Sequence, residues 1–246
     1  VGEFLCMEAL SIEDKKLRQE AEDFISAHQK EIIESVAGSD FPASVNPVSF
    51  FMAGSPGAGK TEFSKRLISL LKTDFGFPEI VRIDIDEIRV LLPGYQGANA
   101  YIFQKPASRM AHKIHDYVLK KKKDFVLDGT FANERIAFEN ISRSLKKNRG
   151  IIIVYLYQDP IKAWNFTQER ERLEGRRIKK EDFIRQFFDS RKNVESVIHT
   201  FGDSISVWLA IKDYDDPSRL TLKLDVDNIA GHIKKSYTVD ELEKLL

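Results

Sequence analysis

The run Gly54-Ser55-Pro56-Gly57-Ala58-Gly59-Lys60-Thr61 has the residue types and spacing to hold a phosphate. It fits G-x-x-x-x-G-K-[ST] without a mismatch, between the apolar stretch VSFFMA and a segment with helical periodicity. In that context the backbone N–H groups and a helix N-terminus converge on one anion. Gly57 and Gly59 can adopt conformations that strain residues with a Cβ and leave room for the phosphate. A lysine in the place of Lys60 reaches the β- and γ-phosphates, and a threonine in the place of Thr61 ligates Mg²⁺. Alone, the loop promises a bound nucleotide and nothing about what becomes of its phosphate.

Carboxylates and arginines further along supply the rest of a phosphoryl-transfer site. VRIDIDEIR reads as a strand over 80–85 with Asp84 and Asp86 on one face near its carboxyl end, where open parallel sheets bind ligands. A hydroxyl acceptor needs a carboxylate within hydrogen-bond reach, and Asp86, nearer the strand exit, is the candidate base. Capping of the helix that begins near Glu87 is the alternative role for Asp86. FVLDGT puts Asp128 at the end of another strand, where it can hold a metal-bound water, contact substrate, or cap the following turn. Arg170, Arg172, Arg176 and Arg177 flank Gly175, where a lid would close over phosphates, and planar guanidiniums stabilise the charge that phosphoryl transfer spreads over oxygens. The stretch from Leu91 to His112 interleaves Tyr95, Asn99, Tyr101, Phe103 and Gln104 between Gly94, Gly97 and Pro106. It suits a sugar or nucleoside pocket and an ordinary packed loop equally.

The elements that must position these groups alternate. Strands are expected at 48–53, 80–85, 124–127, 150–157 and 204–211, with helices at 61–72, 106–122, 135–147, 160–173 and 180–199. Nearly continuous apolar strands between helices predict an α/β fold whose five- or six-stranded parallel sheet is covered by helices on both faces. The spacing of Leu17, Ala21, Phe24, Ile25, Ile32 and Val36 predicts an amphipathic helix over 11–36, packed on the core or docked to a partner. The tail should add an edge strand at 220–224 and a closing helix at 238–246, with Thr238 and Glu241 as a capping box. The first residues, VGEFLC ahead of Met7, read as an added remnant. Residues 1–45 are therefore expected to form that remnant and a helical extension, and 46–246 one domain.

Lys and Arg balance Asp and Glu at 38 each, so no global positive field favours nucleic acid. The single cysteine, Cys6, excludes an internal disulfide and a thiolate metal cluster. No stretch has the length of an apolar membrane span or the pattern of a signal peptide, so a soluble cytoplasmic protein is expected.

The ordered set GSPGAGKT, IDIDEIRVLLPGY, SRMAHKI, LDGT and the arginines at 170–177 resembles the zeta toxin family, the P-loop kinases of bacterial toxin–antitoxin systems. The resemblance runs from about Val48 to about Val197. It implies ATP (with GTP as the alternative) and Mg²⁺ as cofactors, a small antitoxin as partner, and transfer to the 3′-hydroxyl of UDP-N-acetylglucosamine. By position it puts Lys60 on the phosphates, Asp86 as the base, and Arg170 with Arg176 or Arg177 as the phosphate clamp. Asp128 and Thr130 fall on the family's acidic residue and its Gly-Thr, and His112 joins Asp86 facing substrate, with Asn99 added from the pocket-like stretch before it. His112 departs from the family, which has a glutamate there, and an imidazole lacks a carboxylate's two acceptors. That departure leaves a second reading, a kinase of another small-molecule or nucleic-acid hydroxyl. A non-catalytic nucleotide switch is the third, and it would need neither Asp86 nor the arginines. The helix over 11–36 could itself block the cleft, in which case deleting residues 1–40 would raise activity.

Overall fold

A computed structural model describes residues 10–213, 216 and 219–246; the expected remnant ahead of Met7 and Cys6 lie outside the described residues. The elements run α1 (Ile12–Ala37), β1 (Val48–Ala53), α2 (Lys60–Phe75), β2 (Val81–Asp84), α3 (Ile85–Val90), α4 (Ala100–Lys120), β3 (Phe125–Asp128), α5 (Glu134–Leu145), β4 (Gly150–Tyr157), α6 (Pro160–Glu174), α7 (Lys180–Phe201), β5 (Ser206–Lys212), β6 (Leu220–Lys223) and α8 (Val239–Leu245). One sheet has the order β2-β3-β1-β4-β5-β6. β2 through β5 pair in parallel, while β6 runs antiparallel to β5 and is exposed along its length. The parallel sheet thus has five strands, and its sixth is an edge strand of opposite sense.

β1 shows why the strands are apolar throughout. Phe51 and Ala53 pack into one cluster with Ile83, Phe125 and Ile153, while Phe50 and Met52 face the other way onto Leu67, Leu71 and Val126. Both faces of a strand covered by helices are removed from water, so alternation gives way to a continuous run. The register sets Asp84 directly beside Asp128 at the carboxyl ends of β2 and β3, one strand from the loop that follows β1. The acidic groups and the phosphate loop therefore meet because three strand ends meet.

α1 is a wall of this core. A capping box between Ser11 and Asp14 starts it, and Ala21, Ile25, Ile32 and Ala37 are buried in the same cluster as the sheet. Arg109 on α4 pairs with Glu22 at 2.9 Å, and Tyr101 donates to Asp14. The helix therefore shares its hydrophobic contacts with the residues after 45, and its removal would uncover α4 and β2 and not merely unplug a cleft.

Two of the boundaries that differ from expectation bear on the site. β2 stops at Asp84, and α3 starts at the next residue because the Asp84 side chain accepts the Asp86 N–H at 2.8 Å, as an N-cap does. Asp86 therefore lies in the first turn of a helix, not on a strand face with Asp84, and the cap is Asp84. α4 begins at Ala100, six residues before Pro106. A proline inside a helix leaves the carbonyl four residues back without its donor, and here that carbonyl, of Ile102, accepts from Arg18 Nε of α1 at 3.1 Å. A donor 84 residues away thus replaces the missing N–H.

This predicts a coupling. Arg18→Met should lower unfolding stability by about 1–2 kcal/mol in chemical denaturation, and by clearly less when Pro106→Ala has restored the helix's own donor. Equal losses in the two backgrounds would show that Arg18 does not serve that carbonyl.

Candidate active site

The phosphate loop turns tightly between β1 and α2. Ala58 N–H donates to the Ser55 carbonyl at 3.2 Å, so Ser55, Pro56, Gly57 and Ala58 form one turn. Gly57 has φ 71° and lies against the Ala163 carbonyl of α6, where a Cβ would collide. Gly59, at φ 85°, is the N-cap of α2 and offers no side chain, so the first amides of that helix remain available to an anion. Lys60 is buried, and its ammonium donates to the carbonyls of Gly54 (3.0 Å) and Ser55 (2.7 Å), filling the cradle of its own loop. Burial drives its pKa down to about 8, against the pull of Asp128, Asp86 and Asp84 and with some repulsion from Arg170. Thr61 follows in the first turn of α2.

A hydrogen-bonded knot lies beneath. Arg82 of β2 bridges the two neighbouring carboxylates, with Nη2 at 2.5 Å from Asp84 and 2.6 Å from Asp128. Its Nη1 reaches Glu87 at 2.6 Å. Ser64 of α2 accepts from Arg82 Nε and lies 2.9 Å from Asp128 Oδ2. Burial, then Asp128 and Asp86, push the Asp84 carboxyl above its ordinary value despite Arg82 and the Asp86 amide. Sequence reading missed Arg82, because nothing in one strand shows that the strand beside it ends in an aspartate.

Asp86 is held differently. Arg89, one turn on in α3, pairs with Oδ1; Arg176 Nη2 donates to Oδ2 at 2.6 Å and Arg170 Nη2 approaches it at 3.4 Å. Burial pushes this carboxyl up, but Arg89, Arg176 and Arg170 together outweigh it and hold the pKa below the ordinary aspartate value. Arg176 is 17% exposed and faces the site, whereas Arg177 is 76% exposed and lies near Glu171. The structure thus brings Arg170 and Arg176 to Asp86 and leaves Arg177 outside. The arginine segment is docked: Gly97 backs onto the Glu174 carbonyl, and Gly175, which ends α6 at φ 71°, touches Ala98.

Three expected substrate contacts stand further out. Both ends of the Asn99 amide are engaged within the loop before α4, with Gln96 N–H and the Gly94 carbonyl, each at 2.9 Å. Thr130 follows β3; its carbonyl accepts from Gly54 N–H at 3.2 Å, so it braces the start of the phosphate loop. His112 is exposed on the surface of α4.

Magnesium takes one or two carboxylates or hydroxyls from a protein and the rest of its ligands from phosphates and water. The Thr61 hydroxyl and the Asp128 oxygen not bound to Arg82 are hard donors of that kind. Among the described residues no cluster of three or more His, Cys, Asp or Glu could hold a metal unaided. No helix among the described residues is long and apolar enough to cross a membrane.

Comparison with known proteins bears on the same features. The zeta toxin family model matches residues 34–221. No curated protein matches the chain in sequence. Among solved structures, the PezAT chromosomal toxin–antitoxin system of Streptococcus pneumoniae superposes with a TM-score of 0.63 at 15% identity, over 93% of this chain and 88% of that one. The native AvrRxo1-ORF1:-ORF2 complex gives 0.60 at 16% identity, over 90% and 72%. The same pair with ATP gives 0.58 at 17%, over 85% and 64%. At such identities the superpositions speak to fold, and the family match covers most of the chain. With its phosphate loop and parallel sheet, this chain belongs to the zeta toxin family of P-loop kinases.

Proposed function

We propose that the protein transfers the γ-phosphoryl group of ATP, with GTP as the alternative donor, to a hydroxyl of a nucleotide-activated amino sugar. The 3′-hydroxyl of UDP-N-acetylglucosamine is the acceptor proposed, with the protein acting as a zeta-type toxin held in check by a small antitoxin. The observation that carries the reading is Asp86, an ionised carboxylate shared by the lid arginines Arg170 and Arg176 beside the phosphate loop. Family membership and likeness in fold to a toxin–antitoxin system and to the AvrRxo1-ORF1:-ORF2 complex support it.

The chemistry follows from competition for the arginines. In the free protein three guanidiniums hold Asp86 as a weak base. Donor phosphates are better partners for Arg170 and Arg176, because a guanidinium matches phosphate geometry bidentately. As those two turn to phosphate, Asp86 keeps Arg89 alone, its proton affinity rises, and it can accept the proton of an acceptor hydroxyl. Lys60 leaves the carbonyls of Gly54 and Ser55 for the β- and γ-phosphates, while the α2 amides bind the transferring group. Thr61 and Asp128 would hold a magnesium ion brought with the nucleotide, which would supply further charge neutralisation. Arg89 stays on Asp86 throughout and fixes its orientation.

A second reading keeps this chemistry and changes the acceptor to another small-molecule hydroxyl. It is favoured by His112, which replaces the family glutamate and lies exposed on α4. ATP consumption measured against a panel of UDP-sugars, with the product's mass gain, separates the two readings.

Asp86→Asn should reduce phosphorylation by a factor on the order of 10²–10⁴, with ATP affinity within a few-fold of wild type. Unimpaired turnover in the purified variant would remove Asp86 as the base. Lys60 adds a pH prediction. Its depressed pKa of about 8 leaves it largely neutral in the free protein at pH 8.5, and bound phosphates restore its charge. Calorimetry of ATP binding at pH 8.5 in two buffers of different ionisation heat should therefore show net proton uptake, and affinity should fall as pH rises through 8. Lys60→Arg, always charged, should abolish that uptake. Identical heats in both buffers for wild type would contradict the assignment.

A further inference from the structure

Lys60 is not the only lysine at the phosphate loop. Lys212 ends β5, and a Cβ built on Gly59 would collide with its ammonium. Packing brings it there: Ala58 of the loop, Leu156 of β4 and Ala210 of β5 form a small buried cluster edged by Phe63, which draws the end of β5 against the loop. The Lys212 ammonium has no hydrogen bond or ion pair to any described residue. Burial, the largest influence, makes its charge harder to hold, Glu62 of α2 favours it and Arg66 of α2 opposes it. A half-buried cation without a partner is unfavourable, and it stands over the N-cap glycine of the helix that receives phosphate.

The two lysines serve different sides of the loop. Lys60 shares its field with Asp84, Asp86, Asp128 and Arg170, the acceptor side. Lys212 comes from β5, across β4 from the loop and away from β2 and β3, so no acceptor carboxylate lies near it. We propose that Lys212 is a second phosphate-binding lysine, which takes the α- or β-phosphate of the donor nucleotide on the side of its nucleoside. This rests on the reading of the loop as a nucleotide site and adds a residue to it. A phosphate oxygen would give the ammonium the acceptor it lacks.

The position predicts which ligands depend on it. A contact short of the γ-phosphate acts on ADP and ATP alike, so Lys212→Met should weaken both by the same factor, about tenfold or more. Lys212→Arg should retain most of the affinity. Thermal melting of the nucleotide-free Met variant separates binding from structure: losing an unpartnered half-buried charge should leave the melting temperature unchanged or higher, while the shift on adding ADP shrinks. Unaltered ADP affinity, or a lowered melting temperature that accounts for the weaker binding, overturns the role of Lys212 and leaves the kinase reading standing. Failure of the wild type to bind either nucleotide overturns both.

Discussion

One carboxylate, Asp86, faces three guanidinium groups, and most of the site's arrangement follows from that imbalance of charge. Arg89 comes from its own helix, whereas Arg170 and Arg176 come from the segment around Gly175, more than eighty residues on. The ion pairs therefore tether the lid to the acceptor side of the sheet without any ligand. They also hold the Asp86 carboxyl below the ordinary aspartate value, so it is ionised. Arginines can serve either a carboxylate or a phosphate, and the proposed mechanism uses this to make Asp86 a base only when the donor is bound. On the proposed reading, neither a hydroxyl nor a water would be deprotonated before the nucleotide is in place.

The layer beneath gives that carboxylate a fixed platform. Two buried aspartates abreast at adjacent strand ends would repel each other, and Arg82 between them offsets this. A buried pair of this kind adds little net stability, because desolvation opposes the attraction, yet removing one member leaves an uncompensated charge. Its value is geometric: with Asp84 held by Arg82, the other Asp84 oxygen caps α3 and sets Asp86 in that helix's first turn. Ser64 ties the same knot to α2, so the phosphate loop and the acceptor carboxylates share one rigid base.

Much of this was legible in the chain. The loop from Gly54 to Thr61 is contiguous and its chemistry is local; the run of apolar residues from Ile151 to Tyr157 announces a strand buried on both faces; and the structure brings Asp86 and Arg170, singled out in the chain, to one another. What sequence could not show depends on partners far apart. Arg82 matters because Asp128 lies beside Asp84, a fact of register. α4 starts before Pro106 because Arg18 supplies a donor from another helix. Arg176 and Arg177 are neighbours of the same type, and only the turn after Gly175 decides which faces inward. α1, read as a helix packed on the core or docked to a partner, takes the first course, with Ala21, Ile25 and Ile32 in the main core.

The central claim is that nucleotide releases Asp86 from its arginines, and the carboxyl carbon of Asp86 reports this most directly. Carbon-13 NMR titration, assigned by comparison with Asp86→Asn, should find the Asp86 midpoint in the free protein below the ordinary aspartate value of about 3.9. With a saturating non-hydrolysable ATP analogue and Mg²⁺, the midpoint should move upward as Arg170 and Arg176 turn to phosphate. An unchanged midpoint, or one that falls on nucleotide binding, would contradict the account.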